Sequence, residues 1–208
     1  MTRSGPGTPA HSVRLAERAD VDRLGAVLAD AFADDPVSRF VVPGGRRYYD
    51  RLRRLHRMEA ARHVRLGSTW VVGEPAPVGA ALWAAPGKWR QTTGDVIRSA
   101  LPAIGIFGRS LPRSLRVFRA IESVHPTEPH WYLAILGTLT AAQGRGVGSA
   151  VLQPVLERCD AEGVPAYLES SKAANVPFYE RHGFRVTGSI EIPDGPALDT
   201  MWREPSSA

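Results

Sequence analysis

The 208-residue chain is poor in cysteine and lysine and has no long apolar run. Cys159 is the only cysteine, so no disulfide can form within the chain. Every apolar segment is shorter than a transmembrane helix requires. The N-terminal stretch MTRSGPGTPA is polar and lacks the apolar centre of a signal peptide, which predicts a disordered tail over residues 1–11. These absences favour a cytoplasmic protein with no membrane partner.

The positive charge of the chain comes almost wholly from arginine. Lysine and arginine number 26 against 21 acidic residues, a formal net charge of +5, yet Lys88 and Lys172 are the only lysines. A basic surface can recruit nucleic acid or a phosphorylated cofactor. The sequence carries none of the usual nucleic-acid-binding motifs. We therefore expect no nucleic-acid partner and interpret most of the arginines as solvated surface.

The hydrophobic patterns predict one mixed α/β domain over residues 12–205. Helical spacing begins near Asp20, ends at the DDP of residues 34–36, and returns over 46–66. The apolar line of this second helix is Tyr49, Leu52, Leu55, Met58 and Ala61. Later helices are predicted up to about Cys159 and at NVPFYERHG. The strand-like segments are SVRLAE, STWVVGE, PVGAALWAA, HWYLAILGTL, PAYLESS, FRVTGSIEI and ALDTMWRE.

Residues 86–126 interrupt this pattern. Their sequence predicts short helices cut by Pro102 and Pro112, and their apolar residues alone would make a poor core. We therefore expect an insertion within the domain, placed before the fourth strand.

A turn rich in glycine follows the fourth strand. Gly144, Gly146 and Gly148 occupy alternate positions just before a helical pattern. The first N–H groups of a helix have no partner within the helix and favour anions, so bare glycines there would let a diphosphate approach. Arg145 adds a fixed positive charge. The alternative is a tight turn that only packs a helix on the sheet.

Two familiar phosphate motifs do not fit the spacing of this turn. A dinucleotide fingerprint requires G-x-G-x-x-G after the first strand of a βαβ unit, whereas this chain has G-x-G-x-G. A P-loop ends in G-K-[ST], which is not present.

The run from Gln143 to Gly148, Q-x-x-G-x-G, resembles the acetyl-CoA pyrophosphate motif of the GNAT acetyltransferase superfamily. Downstream, NVPFYERHGF is similar to a second superfamily segment at about the expected distance. The likeness covers essentially residues 13–204. Within the superfamily, VRLAERADV, AFADDP, GVPAYLESS and EIPDGP resemble the puromycin N-acetyltransferase group. The resemblance implies the GNAT fold: a mixed sheet of about seven strands flanked by helices.

The resemblance implies where acetyl-CoA binds. Its pantetheine arm would lie between the splayed fourth and fifth strands, and its pyrophosphate on the glycine turn. Asn175 is a candidate partner of the arm, although many family members place that asparagine where Lys172 stands, and it could instead cap the next helix. The cofactor-binding residues implied are Leu136, Gly137, Thr138, Gln143, Gly144, Arg145, Gly146, Val147, Gly148, Ser149 and Asn175.

The resemblance also implies two catalytic groups. Tyr179 matches the family tyrosine beside the CoA sulfur and would be the general acid; otherwise it is a core tyrosine of its helix. Glu169 matches a fifth-strand position where some members place a general base, and it could instead accept hydrogen bonds from loop N–H groups. Cys159 lies on an apolar helix face and is expected in the core. His130 and His182 have no partners at metal-ligand spacing, so no metal is expected.

These observations predict an acetyl-CoA-dependent N-acetyltransferase of a small-molecule amine, a puromycin-like compound and antibiotic resistance being candidates. In the family fold, residues 86–126 would form the acceptor side, with Trp83, Trp89, Ile104, Ile106, Phe107 and Tyr132 as its wall. The alternatives are a protein or peptide N-acetyltransferase and a non-catalytic CoA-binding sensor domain. Either a monomer or a homodimer is compatible with the sequence.

Overall fold

A computed structural model describes residues 11–206 of the chain, which form one seven-stranded sheet in the order β1-β2-β3-β4-β5-β7-β6. The predicted mixed sheet is confirmed. Residues 1–10 of the predicted tail lie outside the described residues, and the domain limits 12–205 stay a prediction. The strands are β1 Val13–Leu15, β2 Thr69–Val72, β3 Gly79–Ala84, β4 Trp131–Thr138, β5 Ala166–Ser170, β6 Arg185–Glu191 and β7 Ala197–Arg203.

Helices cover both faces of this sheet. They are α1 Val21–Ala31, α2 Pro36–Val41, α3 Tyr48–Leu66, α4 Thr93–Phe107, α5 Leu111–Val124, α6 Val147–Glu162 and α7 Val176–Glu180. Helices α6 and α7 pack on one face over Trp83, Leu133 and Leu168. Helices α1 and α3 pack on the other face over Val71 and Leu82. Adjacent strands pair antiparallel except β4 and β5, which pair parallel.

The insertion before β4 is confirmed, but its predicted break is wrong. Helix α4 runs through Pro102, and the chain turns instead at Gly108, where φ is +48°. Pro112 lies in the first turn of α5, where a missing N–H costs no helical hydrogen bond. A side-chain pair, Thr92 with Asp95, caps the start of α4.

The buried line of α3 differs from the predicted one. Tyr49 is 44% exposed, whereas its neighbour Tyr48 is buried. The buried residues of the helix are Tyr48, Leu52, His56, Ala60 and His63. The sequence pattern missed this line because it counts histidine as polar, although a neutral imidazole packs in a core.

His56 has the least favourable surroundings of the buried polar groups on α3. The residue is 4% exposed, its ring faces Phe32, and neither nitrogen has a hydrogen-bond partner among the described residues. Burial lowers the pKa of His56 to about 3. His63, which contacts the Glu59 carbonyl through Nδ1, has its pKa lowered by burial to about 4.

We predict that His56→Leu makes the fold more resistant to acid. Below its ordinary pKa of about 6.5, His56 gains a proton in the unfolded chain but not in the folded one. Stability is therefore lost as the pH falls from about 6.5 towards 3, by up to about 1.4 kcal/mol per pH unit for this residue. Urea unfolding at pH 7 and pH 5 measures the loss in both proteins. An equal loss in wild type and His56→Leu would contradict the assignment.

Candidate active site

The two parallel strands β4 and β5 separate halfway along their length. They pair at Trp131–Ala166, Tyr132–Tyr167 and Leu133–Leu168, and β4 then continues to Thr138 without a partner on that side. On its other side β4 stays paired with β3, but Ala134 is an extra residue in that register. A bulge of this kind bends its strand. The bend at Ala134 therefore coincides with the point where β4 leaves β5, and it opens a gap between the two strands.

A cavity of about 500 Å³ lies along this gap. Most of the residues implied for cofactor binding line it: Leu136, Gly137, Thr138, Gln143, Gly144, Gly146, Val147, Gly148, Ser149 and Asn175. Tyr179 lines it as well. Arg145 is absent from the lining, and its carbonyl oxygen lies 2.7 Å from His11 Nε2.

The glycine turn places the start of α6 at this cavity. Gly144 and Gly146 have φ of +73° and +80°, a conformation that other residues adopt only with strain. The first helical bond runs from the Ala150 N–H to the Gly146 carbonyl over 3.0 Å, and no side chain of residues 11–206 caps the helix. The N–H groups of residues 147–149 precede that bond and have no partner within the helix.

Gly148 is explained by packing. A Cβ at this position would lie 3.2 Å from Phe178 Cζ, so α7 approaches α6 closely there. Two glycines thus shape the turn and the third admits a neighbouring helix.

Asn175 and Tyr179 reach the cavity from α7. Asn175 is the N-cap residue just before the helix, but its side chain makes no capping hydrogen bond to the described residues, which removes the capping explanation. Tyr179 is buried in the core on the α6 side while it also lines the cavity. Burial raises the pKa of Tyr179, so its hydroxyl keeps its proton at neutral pH.

Sequence reasoning missed a carboxylate in the cavity lining. Asp35 is buried, accepts the Ser38 N–H at 2.7 Å, and accepts a hydrogen bond from the Ser171 hydroxyl. Asp34 pairs with Lys172 over 2.6 Å. The DDP sequence predicts only a helix end and could not predict that both aspartates contact the segment after β5.

Glu169 lies on the sheet face opposite the Tyr179 core and outside the cavity lining. It stands one residue beyond the last β4–β5 pair, and its side chain is 4% exposed. The Tyr132 hydroxyl donates to Glu169 Oε2 over 2.8 Å, and His125 Nδ1 lies 3.6 Å from Oε1. No loop N–H donates to its carboxylate among the described residues. His125 is a second residue that the sequence did not single out.

The predicted acceptor wall needs correction. Trp83 is buried under α6, and Ile106 and Phe107 pack in a core with α2, α3 and β7. Ile104 is exposed on α4. Trp89 stacks on His125 with 3.7 Å between ring centres, and Tyr132 contacts the same ring edge-on.

The remaining candidates from the sequence are Cys159 and the possible ligands of a metal ion. Cys159 is buried as expected, and burial raises the pKa of its thiol to about 12. Within residues 11–206, no cluster of three or more His, Cys, Asp or Glu side chains could hold a metal ion. No helix in that range is both long and apolar enough to cross a membrane.

This architecture is the GNAT fold, a seven-stranded mixed sheet whose one parallel pair separates beside a glycine turn. In this chain a helical insertion precedes β4. Residues 104–184 match the model of the acetyltransferase (GNAT) family. The chain is 29% identical to uncharacterized N-acetyltransferase C550.08 of Schizosaccharomyces pombe over 210 residues, covering 94% of this chain and 84% of that protein.

Solved structures show the same architecture. One is a structure described as histone acetyltransferase HPA2 and related acetyltransferase from Corynebacterium glutamicum, 29% identical, with a TM-score of 0.73 over 95% of this chain and 98% of that one. Polyamine N-acetyltransferase of Drosophila melanogaster is 15% identical, with a TM-score of 0.66 over 94% and 100%. Together these comparisons show that the chain is similar in sequence to acetyltransferases of the GNAT family and shares their fold.

Proposed function

We propose that the protein is an acetyl-CoA-dependent N-acetyltransferase that acetylates the amine of a small molecule. The observation that carries the proposal is the cavity along the separated strands, which joins an unpaired strand edge, a free helix N-terminus and the Tyr179 hydroxyl. No ordinary packing need explains all three in one place.

The cavity suits the parts of acetyl-CoA in order. Along the edge formed by Leu136, Gly137 and Thr138, the N–H and C=O groups that do not bond to β3 offer donors and acceptors to the amides of the pantetheine arm, as a strand edge does to an added strand. The pyrophosphate would then accept hydrogen bonds from the N–H groups of residues 147–149, where the helix dipole favours negative charge. Gln143, whose side-chain amide donates to the Thr138 carbonyl at 3.3 Å, would hold the turn against the strand. Arg145 would add positive charge near the phosphates.

The proposed reaction needs one group that accepts a proton and one that gives a proton. The free amine attacks the thioester carbonyl, a C–N bond forms, and the C–S bond breaks. Tyr179 would give its proton to the leaving sulfur, and Glu169 would take the proton lost by nitrogen. The two side chains lie on opposite faces of the sheet, so a thioester held in the gap would be accessible to both.

The residues at the end of the insertion bear on the class of acceptor. The insertion packs against α3, and His125 at its end contacts Trp89 and Tyr132, which favours a compact amine over an extended peptide. A puromycin-like aminoacyl nucleoside and an aliphatic polyamine are both candidates. A peptide acceptor is the second candidate function, because the Corynebacterium structure is described as a histone acetyltransferase.

The proposal is tested by release of free CoA from acetyl-CoA in the presence of an amine panel, with product masses measured in parallel. The panel contains puromycin, agmatine, an arylalkylamine and a histone-tail peptide. We expect turnover with at least one small amine and none with the peptide. Turnover of the peptide alone would replace the small-amine assignment, and acetyl-CoA binding without any turnover would favour a sensor.

Tyr179→Phe should lower kcat by about 100-fold with little change in the KM for acetyl-CoA, because only the proton donor is lost. Tyr48→Phe is the matched control. Tyr48 is equally buried and its hydroxyl has no partner among the described residues, but it packs in a core away from the cavity. Equal kcat values for the two variants would return Tyr179 to a packing role.

Gly144→Ala should weaken CoA binding by about tenfold or more and leave pantetheine binding unchanged, because pantetheine lacks the pyrophosphate. A Cβ at Gly144 meets no atom of the described residues within 4 Å, so the substitution adds only backbone strain of about 1–2 kcal/mol and occupies cavity space.

Gly163→Ala is the control for that strain. Gly163 ends the same helix at φ +65°, its Cβ also meets nothing within 4 Å, and it does not line the cavity. Calorimetry measures the affinities, and thermal unfolding checks that the two variants lose similar stability. The phosphate assignment is wrong if both variants bind CoA as wild type does.

A further inference from the structure

A chain of buried polar groups links the end of the insertion to β5. His125 follows α5, His130 precedes β4, and their Nε2 atoms are 3.0 Å apart. His130 Nδ1 lies 2.7 Å from the Glu128 carbonyl oxygen. At the other end, His125 Nδ1 lies 3.6 Å from Glu169 Oε1. Both histidines are buried, so few waters can intervene.

The hydrogen bonds of His130 determine the protonation of His125. A carbonyl oxygen only accepts, so His130 Nδ1 must carry a proton and donate it to Glu128. Burial lowers the pKa of His130, which keeps its ring neutral and leaves Nε2 as an acceptor. His125 Nε2 must therefore carry the proton of the bond between the two rings. In a neutral ring this leaves a lone pair on His125 Nδ1.

That lone pair faces Glu169 Oε1, and the buried Tyr167 hydroxyl, a neighbour of Glu169, also has no hydrogen-bond partner among the described residues. The Tyr132 hydroxyl occupies Glu169 Oε2, while Oε1 and His125 Nδ1 are both buried and both without a hydrogen-bond partner among the described residues. With the His125 ring neutral and the Glu169 carboxylate ionised, two buried acceptors face each other, and one added proton would satisfy both. In that state the pair has one vacant proton position.

We propose that this vacant position between His125 Nδ1 and Glu169 Oε1 receives the proton that the acceptor amine loses, which makes His125 a positioning residue for the Glu169 base. The inference rests on the proposed function. As the C–N bond forms and the C–S bond breaks, nitrogen releases one proton to Glu169, and His125 Nδ1 shares it through a new hydrogen bond. Tyr179 supplies the separate proton that the sulfur gains.

The tyrosines around the His125–Glu169 pair stay uncharged, so they do not oppose a change in the charge of the pair. Burial raises the pKa of Tyr132 and of Tyr167, so both remain neutral hydroxyls beside Glu169. From α3, Glu59 acts electrostatically on Tyr132, and burial raises the pKa of Glu59. The charge of Glu128 raises the pKa of His130, but burial lowers it by more. The stacked Trp89 ring holds the imidazole in place.

The first test does not depend on acetyltransferase activity. Ring nitrogen NMR of the free protein should show His125 as the neutral Nε2–H form at high pH, with Nδ1 gaining a proton on acidification. In Glu169→Gln the amide can donate to Nδ1, so this proton uptake should move at least one pH unit lower. An Nδ1–H form at high pH, or the same titration in both proteins, would overturn the proposal.

The second test measures kcat/KM against pH with an acceptor found in the amine panel. His125→Phe keeps an aromatic ring on Trp89 but has no nitrogen, and His125→Gln serves if that variant does not fold. We expect a loss of at least tenfold in kcat/KM and a displaced acidic limb, with the KM for acetyl-CoA unchanged. The control variant His56→Leu, which replaces a buried histidine on α3, should keep the wild-type acidic limb of the pH profile. A wild-type limb in the His125 variant would refute the shared proton.

The two tests separate the possible failures. If no amine is acetylated, the proposed function fails while the NMR titration still decides whether the pair takes up a proton. If acetylation occurs and the titration is the same without Glu169, only the shared proton is refuted.

Discussion

The separation of β4 from β5 is the constraint on which the rest of the site depends. Three residue pairs hold the strands together, and the bulge at Ala134 then bends β4 away while β3 keeps its other edge paired. The consequence is a strand edge with free peptide groups inside an otherwise continuous sheet. The cavity, the start of α6 and the residues of α7 all face that opening.

The same separation organises the proposed chemistry. In a continuous sheet, Leu168 and Glu169 would belong to separate environments, because successive side chains of a strand point to opposite faces. Where the sheet opens, one elongated ligand can meet groups from both faces. A proton donor in the α6-side core and a proton acceptor on the insertion side therefore do not need to be neighbours in the free protein. The end of the insertion brings His125 next to Glu169.

Much of the fold and part of the site could be predicted from the sequence. Alternating and helical patterns located the strands, and the glycine turn with NVPFYERHGF indicated the residues that line the cavity. The errors have local causes. Pro102 does not break α4, because a helix interrupted at one hydrogen bond can continue when the flanking turns remain bonded. The apolar pattern favours Tyr49 over Tyr48 because it does not count His56 and His63, which extend the buried line of α3.

The sequence by itself determined what depends on a few consecutive residues: the glycines that permit positive φ, the uncapped helix start behind them, and the absence of disulfides. Tertiary structure alone decided which distant groups meet. The bulge at Ala134, the contacts of Asp35 with Ser171, and the approach of His125 to Glu169 join residues far apart in the chain. No local pattern encodes such pairs, because their positions follow from how helices and strands pack, and a shift of one residue in strand register would turn Glu169 to the other face.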